Sequence, residues 1–316
     1  MLDAHPGSVL TANQHNYGTL RLQLLDRLKA IVGGRLNNYE FTQNDGDGNR
    51  TTRYKDDNVF VPFFAVSYDV SPDWLFYMSV AETFKSQASY WDENEKPLDP
   101  VTGRSYELGV KGELWSGRAT ASLAIYRTER EGEASLVSER TINDGNGSSC
   151  CYSAAGETLI EGFEAEVSGE VLPNLTAAVG YSYQDKSKDD VNAFKWRNTT
   201  LPRHMLKVWL DYKFENWTLG VNAVAQSEQY STGRTPTVYD ETTGTWGEPY
   251  VDYRFSSGGR AVWGTSVGYQ LSSNIKATLS VNNLFDKHYW QTIGTASGYN
   301  WYGEPRNYML SLRAEF

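Results

Sequence analysis

The residues of this chain that could act as acids, bases or nucleophiles stand apart from one another. Glu164 and Glu166 alternate along one short segment, so they lie on one face of a strand, as a pair of hydrolytic carboxylates could. No helper residue accompanies them, and the polarity of a water-facing strand explains them better. A serine hydrolase needs a histidine and an acid near its serine. None of the four histidines has such company: His5, His15, His204 and His288. The sequence therefore predicts a protein that is not an enzyme.

One acidic segment has the spacing of a calcium loop. Positions one, three, five, seven and twelve of that spacing are Asp45, Asp47, Asn49, Thr51 and Asp56. Position six is Arg50, where the loop needs a glycine, and position twelve is an aspartate, where a bidentate glutamate is usual. We therefore interpret the segment as a plain acidic loop, and we predict neither a metal site nor a cofactor.

The two cysteines, Cys150 and Cys151, are adjacent in a segment rich in Gly, Ser and Asn. A catalytic thiol or a thiolate metal site needs His or Asp nearby, and the histidines are distant in sequence. The favoured interpretation is a pair of loop thiols, and the sequence leaves their oxidation state open.

The composition limits the classes of protein that fit. Aromatic residues make up 14 % of the chain, with 21 Tyr and 10 Trp, and such rings suit membrane interfaces and the mouths of ligand sites. The net charge of -10 and the absence of a basic cluster argue against nucleic acid as a partner. No apolar stretch reaches about 18 residues, so a membrane span must be made of strands. The first residues, MLDAHPGSVL, show no signal peptide.

Apolar and polar residues alternate repeatedly from Asn16 onward, which predicts thirteen strands. Gly33 and Gly34 in the second strand would permit bending. The clearest alternation places one set of side chains on a single face: Leu206, Val208, Leu210, Tyr212 and Phe214. The same pattern continues to the last residue of the chain.

The predicted connections fall into two classes. Every second one has two to four residues, and the others run from roughly a dozen to nearly thirty. The long ones include QNDGDGNRTTRYKDD, Gly132 to Gly156, and Ser231 to Gly258, the longest. Soluble sandwiches do not usually sort their loops in this way, and no fixed-period repeat supports a propeller or β-helix. The sequence predicts an all-β, antiparallel, up-and-down transmembrane β-barrel portion of about 13 long strands, with short periplasmic turns and long extracellular loops.

Four sequence blocks occur in a specific order and spacing. They are FYMSVAETFKSQ (Phe76 to Gln87), the segment from Gly103 to Arg130, the segment from Ile160 to Asp185, and NNLFDKHYW followed by YGEPRNYMLSLRAEF. Together they resemble the C-terminal barrel portion of TonB-dependent outer-membrane receptors for ferric siderophores, especially those for pyoverdine-like and coprogen-like ligands. The first block is similar to a strand that leads into a ligand-side loop, and the next two are similar to the hairpins that follow.

The resemblance implies a barrel of about 22 strands whose lumen holds an N-terminal plug, with energy supplied through TonB. This chain shows no segment similar to the plug or to a TonB box. We therefore expect residues 1–15 to be a lead-in or loop remnant and residues 16–316 to be the C-terminal part of the barrel, with the plug domain absent. The TonB complex would act only through that missing plug.

The resemblance also implies a location and partners. The location is the bacterial outer membrane, and the ligand is a ferric siderophore, with iron only as part of that ligand. Further implied partners are outer-membrane lipid and the barrel assembly machinery. The last strand is implied to close the barrel and to carry the assembly signal through Tyr308, Leu310, Leu312 and Phe316. The GEPRN segment, Gly303 to Asn307, is interpreted as structural.

Siderophore pockets of the family are built from rings and a few polar side chains at the outer mouth. The residues that the resemblance places there are Trp91, Trp196, Tyr230, Trp246, Tyr289, Trp290, Trp301, Arg197 and Arg234. Any single ring could instead belong to the aromatic girdle at the membrane surface, and any single arginine, Arg203 included, could be a solvated loop charge.

The implied function is that of an outer-membrane receptor or transporter fragment for TonB-dependent uptake of ferric siderophore. The alternative is a plug-less remnant or a smaller autonomous barrel, acting as a passive outer-membrane pore or as a structural protein.

Overall fold

The computed structural model describes residues 8–44, 50–87, 90–141, 149–189, 196–197, 200–242, 244–294 and 298–315. All regular secondary structure in this part of the chain is β-strand. No helix among these residues is long and apolar enough to cross a membrane. Phe316 lies outside them, as do the first three positions of the calcium-like spacing, Asp45, Asp47 and Asn49.

The described residues form eighteen strands of very different length. In chain order they are Ser8–Leu25 (β1), Leu28–Asn44 (β2), Arg50–Asp69 (β3), Trp74–Lys85 (β4), Val101–Leu114 (β5), Ala119–Thr141 (β6), Ser149–Leu172 (β7), Leu175–Asp189 (β8), Trp196–Arg197 (β9), His204–Phe214 (β10), Trp217–Gln226 (β11), Gln229–Asp240 (β12), Thr245–Ser257 (β13), Arg260–Ser272 (β14), Ile275–Asn282 (β15), Trp290–Thr292 (β16), Trp301–Tyr302 (β17) and Asn307–Ala314 (β18).

Thirteen of these strands follow one another in a single antiparallel sheet. The order is β1-β2-β3-β4-β5-β6-β7-β8-β10-β11-β14-β15-β18, and β9 pairs with β8 beside this path. Neighbours in the order are consecutive along the chain except where β9, the hairpin β12–β13 and the pair β16–β17 intervene, so the predicted up-and-down arrangement is confirmed. The alternate connections, such as β1 to β2 and β10 to β11, have two to four residues, as predicted. We call the end of the strands at which these short connections lie the short-turn end, and the opposite end of the strands the long-loop end.

The chain divides into two compact units. The first unit is built from Met1–Val110, Ala124–Glu161 and Lys186–Arg197. The second unit is built from Lys111–Leu123, Gly162–Asp185 and Asn198–Phe316. The first unit contains the ladder from β1 to β4, and the second contains the ladder that joins β10, β11, β14, β15 and β18.

Strands extend further into the predicted loops than the sequence pattern indicates. The first strand begins at Ser8 and not at Asn16. Most of the predicted loop from Gly132 to Gly156 belongs to β6 and β7, and the predicted loop from Ser231 to Gly258 is the hairpin β12–β13. Where a strand extends out of the membrane, both of its faces contact water. Backbone pairing therefore continues there without the alternation of apolar and polar residues on which the prediction depended.

The strands of the second unit carry an apolar face that remains exposed. Leu210 on β10 pairs with Ala177 on one side and with Val221 on the other. At the end of the same face, Phe214 is 55 % exposed. A continuous exposed apolar face is a liability in water but is what lipid requires of a transmembrane strand.

Aromatic side chains bound this apolar face at both ends. At the long-loop end, the hydroxyl of Tyr181 lies 2.7 Å from Nδ1 of His204, and the Phe163 ring centroid lies 5.6 Å from that of Tyr181. At the short-turn end, the rings of Trp217 and Tyr269 are 4.6 Å apart. The 11 residues of β10 run between these ends. They cover roughly 33 Å along the strand, and a tilt of about 40° reduces this to roughly 25 Å, the height of the apolar band of an outer-membrane barrel.

Two glycines of β2 let phenylalanine rings approach the backbone closely. A Cβ atom on Gly33 would lie 2.6 Å from the ring of Phe63, its partner on β3, and 2.5 Å from the carbonyl oxygen of Gly18. A Cβ atom on Gly34 would collide with the ring of Phe60. These positions therefore need glycine because of close contacts across the sheet.

We predict that Gly33→Ala lowers the free energy of unfolding by about 1–3 kcal/mol, because the added methyl group must displace a ring and a backbone oxygen. The measurement is urea unfolding of the detergent-solubilised protein. Gly18→Ala is the matched control, since nothing lies within 4 Å of a Cβ atom there. Equal costs for the two substitutions would contradict the steric explanation.

Candidate functional site

The connection between β15 and β18 is held by one buried amide side chain. Asn283 is 4 % exposed, and its Nδ2 donates hydrogen bonds to the carbonyl oxygens of Lys287, at 2.9 Å, and Glu304, at 3.0 Å. Its Oδ1 accepts a hydrogen bond of 2.8 Å from the backbone N–H of Lys287. The residue also has a φ of 48°, a conformation that asparagine tolerates better than most residues. Asn283 therefore joins the beginning of the connection to its end.

Asp286 makes a second tie across the same connection. Its Oδ1 accepts a hydrogen bond of 3.0 Å from the backbone N–H of Arg306. This hydrogen bond is the main reason that the pKa of the Asp286 carboxyl lies below its usual value. The NNLFDK and GEPRN blocks thus hold each other, in keeping with the structural role predicted for Gly303 to Asn307.

A cavity of about 270 Å³ lies beside this connection, at the long-loop end of the second unit. Two stretches of chain and one further residue line it: Ser257, Gly258, Gly259, Arg260, Lys287, His288, Tyr289, Trp290 and Tyr302. The first stretch joins β13 to β14, and the second leads into β16. The lining therefore combines aromatic rings with cationic side chains.

The aromatic wall of the cavity is a stacked pair of rings from two strands, supported by a ring from a third strand. Trp290 of β16 and Tyr302 of β17 are stacked, with centroids 3.9 Å apart and planes inclined by 18°. Phe255 of β13 meets Trp290 edge-on at 5.9 Å. Gly303 follows Tyr302, and any Cβ atom there would collide with the ring of Tyr289. This wall offers flat apolar surface of the kind that packs against a planar ligand.

The cationic wall is Arg260, the first residue of β14. Its guanidinium lies over the ring of Tyr289, 4.5 Å from the centroid, and its Nη1 donates a hydrogen bond of 3.1 Å to Oε1 of Gln229. Gln229 is itself fixed, because its Nε2 donates to the carbonyl oxygen of Thr200 at 2.7 Å. Burial lowers the pKa of Arg260, yet a guanidinium keeps its charge at neutral pH. The structure thus holds a positive charge at a fixed place in the cavity.

Of the residues that the resemblance predicted for ligand binding, the structure brings Tyr289 and Trp290 together in this cavity. The neighbouring Trp301 is 69 % exposed and does not line it among the described residues. The predicted role of each remains a prediction.

Three other predicted residues lie on the hairpin β12–β13. Tyr230 lies beneath the guanidinium of Arg254, which is 4.1 Å from the ring centroid and forms a 3.0 Å ion pair with Glu228. Trp246 lies near the tip, 60 % exposed, with its ring 5.3 Å from that of Tyr239. The backbone of the third, at position 234, pairs with that of residue 252. Neither Tyr230 nor Trp246 is among the described residues that line the cavity.

The remaining predicted residues belong to the first unit. Trp91 packs against Cys151, which is fully buried and disulfide-bonded, and the carbonyl oxygen of Trp91 accepts a 2.8 Å hydrogen bond from the backbone N–H of Tyr152. This finding resolves the oxidation state of Cys151, which the sequence left open. Trp196 and Arg197 form the short strand β9. Among the described residues, no group of three or more His, Cys, Asp or Glu is placed to hold a metal ion.

Four of the lining residues that were not predicted from the sequence carry a basic group or a ring: Arg260, Lys287, His288 and Tyr302. Arg260 directly follows Gly258 and Gly259, which end a long predicted connection. A charged residue at that place in the sequence could have been recognised as a candidate for ligand binding. The positions of the other three depend on how β16 and β17 fold back on one another.

A meander of long antiparallel strands with a lipid-facing apolar side and a ring-lined cavity at its long-loop end is typical of outer-membrane receptors. Residues 5–284 match the family of TonB dependent receptor-like β-barrel domains. The chain belongs to this family, which confirms the resemblance seen in its sequence. The family comprises receptors and transporters of the bacterial outer membrane, not enzymes.

Several relatives of this chain are ferric-pyoverdine receptors. The chain is 33% identical over 314 residues to the ferric-pyoverdine receptor PbuA of a Pseudomonas species, covering 95% of this chain and 36% of the relative. It is 30% identical over 310 residues to the ferripyoverdine receptor of Pseudomonas aeruginosa, covering 95% and 35%. The chain thus spans about a third of the length of these relatives.

Solved structures of such receptors share the fold. The FpvAI–pyocin S2 complex matches with a TM-score of 0.77 and 28% identity, over 98% of this chain and 40% of the other. The ferripyoverdine receptor of the Pseudomonas aeruginosa outer membrane, solved bound to ferripyoverdine, matches with a TM-score of 0.76 and 28% identity, over 98% and 39%.

We predict that Asn283→Ala destabilises the connection between β15 and β18 by about 2–4 kcal/mol, because three backbone groups lose their partner in a buried place. The rate of limited proteolysis within this connection measures the effect. Asn282→Ala is the matched control, since that neighbouring side chain donates one exposed hydrogen bond, to Asn307. Equal rates for the two variants would show that the buried amide does not hold the connection.

The lowered pKa of Asp286 predicts a pH dependence. Its carboxylate stabilises the fold above the pKa of an unfolded aspartate, about 3.9, and this contribution is lost as the pH falls through the lower folded value. We expect the stability difference between the natural protein and Asp286→Asn to stay constant from pH 7 to about pH 5 and to shrink below it. Urea unfolding of both proteins at each pH gives this difference. The titration of the other acidic residues contributes equally to both proteins and therefore cancels. A difference that grows on acidification would contradict the assignment.

Proposed function

We propose that this chain forms part of an outer-membrane receptor that binds a ferric siderophore at the long-loop end of its strands. The observation that carries the proposal is the cavity in which the stacked rings of Trp290 and Tyr302 meet the guanidinium of Arg260. The relatives support it, because they are ferric-pyoverdine receptors.

The geometry suits a ferric chelate for two reasons. The chelating groups and chromophores of siderophores present flat conjugated surfaces, and stacked rings offer a matching apolar surface. Trp290 contacts two other rings, those of Tyr302 and Phe255, so its ring loses little freedom when a ligand packs beside it. A fixed aromatic wall is therefore a better anchor than the exposed ring of Trp246.

The barrel portion is one element of the proposed receptor. The chain spans about a third of the length of its relatives, and we propose that residues 16–316 correspond to the C-terminal strands of a receptor barrel. In this proposal TonB-dependent uptake needs the segments of the relatives to which this chain does not correspond, and the strands described here supply the lipid-facing wall and part of the ligand site.

We predict that Trp290→Ala and Tyr302→Ala each weaken ferric-siderophore binding about 10-fold to 100-fold, because each removes half of the stacked pair. The full-length natural protein, placed in the outer membrane of a receptor-deficient bacterium, would be tested for binding of an iron-55-labelled panel of siderophores that includes ferric pyoverdine. Trp301→Ala is the control, since that ring precedes Tyr302 but lies outside the cavity lining.

Two outcomes would contradict the proposal. If no ferric siderophore of the panel binds, the receptor assignment fails. If Trp301→Ala weakens binding as much as Tyr302→Ala does, the cavity is not the site. A passive pore, the alternative function, would instead pass small solutes at rates that none of the three substitutions changes.

A further inference from the structure

Arg260 is a buried cation that faces a cavity. Its side chain and backbone together are only 9 % exposed, although Arg is among the residues that are rarely buried without a partner. Its position is fixed on three sides: the backbone pairs with Gln226 of β11, Nη1 donates to Gln229, and the guanidinium plane lies over Tyr289. Arg260 also lines the cavity, so the other N–H groups of its guanidinium are the donors that a ligand there would meet.

No carboxylate of the described residues forms an ion pair with Arg260. Nearby arginines of the same unit differ in this respect, since Arg254 pairs with Glu228 at 3.0 Å and Arg203 pairs with Asp185 at 3.1 Å. A neutral amide oxygen and an aromatic ring compensate a buried charge only in part. The site therefore keeps a positive charge whose cost of burial an anion would offset.

The other charge of the cavity has the same sign. Lys287 lines it with Arg260, and its lining contains no Asp or Glu among the described residues. The chain as a whole has a net charge of -10, so a cavity lined without acids is a local departure from the composition. Such a cavity attracts a negatively charged group and repels a cationic one.

We propose that this cavity recognises a carboxylate group carried by the ferric siderophore, with Arg260 as the residue that determines specificity. The inference rests on the proposed function and adds the charge of the ligand to it. A carboxylate matches the planar fork of a guanidinium through two parallel N–H···O bonds, and the ring stack holds the rest of the ligand beside it. Arg260 thus contacts the ligand, and Gln229 positions Arg260.

Matched pairs of ligands test the proposal. Each ferric siderophore of the panel is prepared with its free carboxylates intact and with those carboxylates converted to primary amides, which leaves iron coordination and shape nearly unchanged. We expect the full-length natural protein to bind at least one carboxylate form about tenfold or more tightly than its amide counterpart. Arg260→Gln is expected to reduce this preference to within about twofold, because it removes the charge that distinguishes the two ligand forms.

Two further variants keep the test decisive. Arg254→Gln is the matched control, because that guanidinium also lies on a tyrosine ring but is paired with Glu228 outside the cavity lining, and it should retain the full preference. Arg260→Lys keeps the charge and loses the fork, so it should show an intermediate preference. If Arg260→Gln is present in the membrane below the natural level, Arg260→Lys takes its place in the test.

The outcomes separate this inference from the function on which it rests. Failure of both ligand forms to bind overturns the receptor proposal and this inference with it. Equal binding of both forms, or an unchanged preference in Arg260→Gln, overturns the inference alone. Excess acetate or inorganic phosphate should not displace the carboxylate form, since neither reaches the ring stack. Displacement by either would assign the cavity to small free anions and would overturn the inference.

Discussion

Backbone hydrogen bonding is the constraint on which this structure depends. In the hydrocarbon of a membrane no water can satisfy a peptide group, so a strand that crosses it must pair with its neighbours. The thirteen-strand path gives each of the eleven strands between β1 and β18 a partner on both sides. The same membrane environment explains why apolar side chains of β10 such as Phe214 are exposed and not packed. The apolar side chains of these strands face lipid, so the residues that bind a ligand must lie where the strands leave the membrane.

The side chains of the ligand cavity are held in place by hydrogen bonds. Its rings are not supported by a hydrophobic core but by polar ties: Asn283 joins the start of the last connection to its end, and Asp286 binds the backbone of Arg306. These ties bring Tyr289 and Trp290 next to Tyr302, from the other end of the same connection. Gln229 does the same for Arg260 on the opposite wall. Hydrogen bonds in a water-facing region thus give the aromatic wall the rigidity that close packing would give it in a soluble protein.

The sequence predicts the wall better than the cavity, for a physical reason. β10 could be recognised because lipid lies on one side of it and water on the other, so its side chains alternate. The hairpin β12–β13 was interpreted as a loop because both of its faces meet water and carry rings and polar residues alike. Arg260 was not predicted because its role depends on contacts with Gln229 and Tyr289, each about 30 positions away. The last connection is intermediate: NNLFDK and GEPRN were recognised as motifs, but only the geometry shows that they bind each other.

The hairpin β12–β13 has a consequence for how such receptors diversify. β11 pairs directly with β14, and the last pair, Gln226 with Arg260, marks both the exit and the return of the chain. The whole excursion therefore starts and finishes at adjacent positions of the sheet, and its length does not enter the register of the wall. Insertion of one residue into β10 would turn its lipid-facing side chains toward water, whereas insertion near the tip of the hairpin leaves every transmembrane pair in place. The hairpin is a module that evolution can exchange while membrane insertion stays intact.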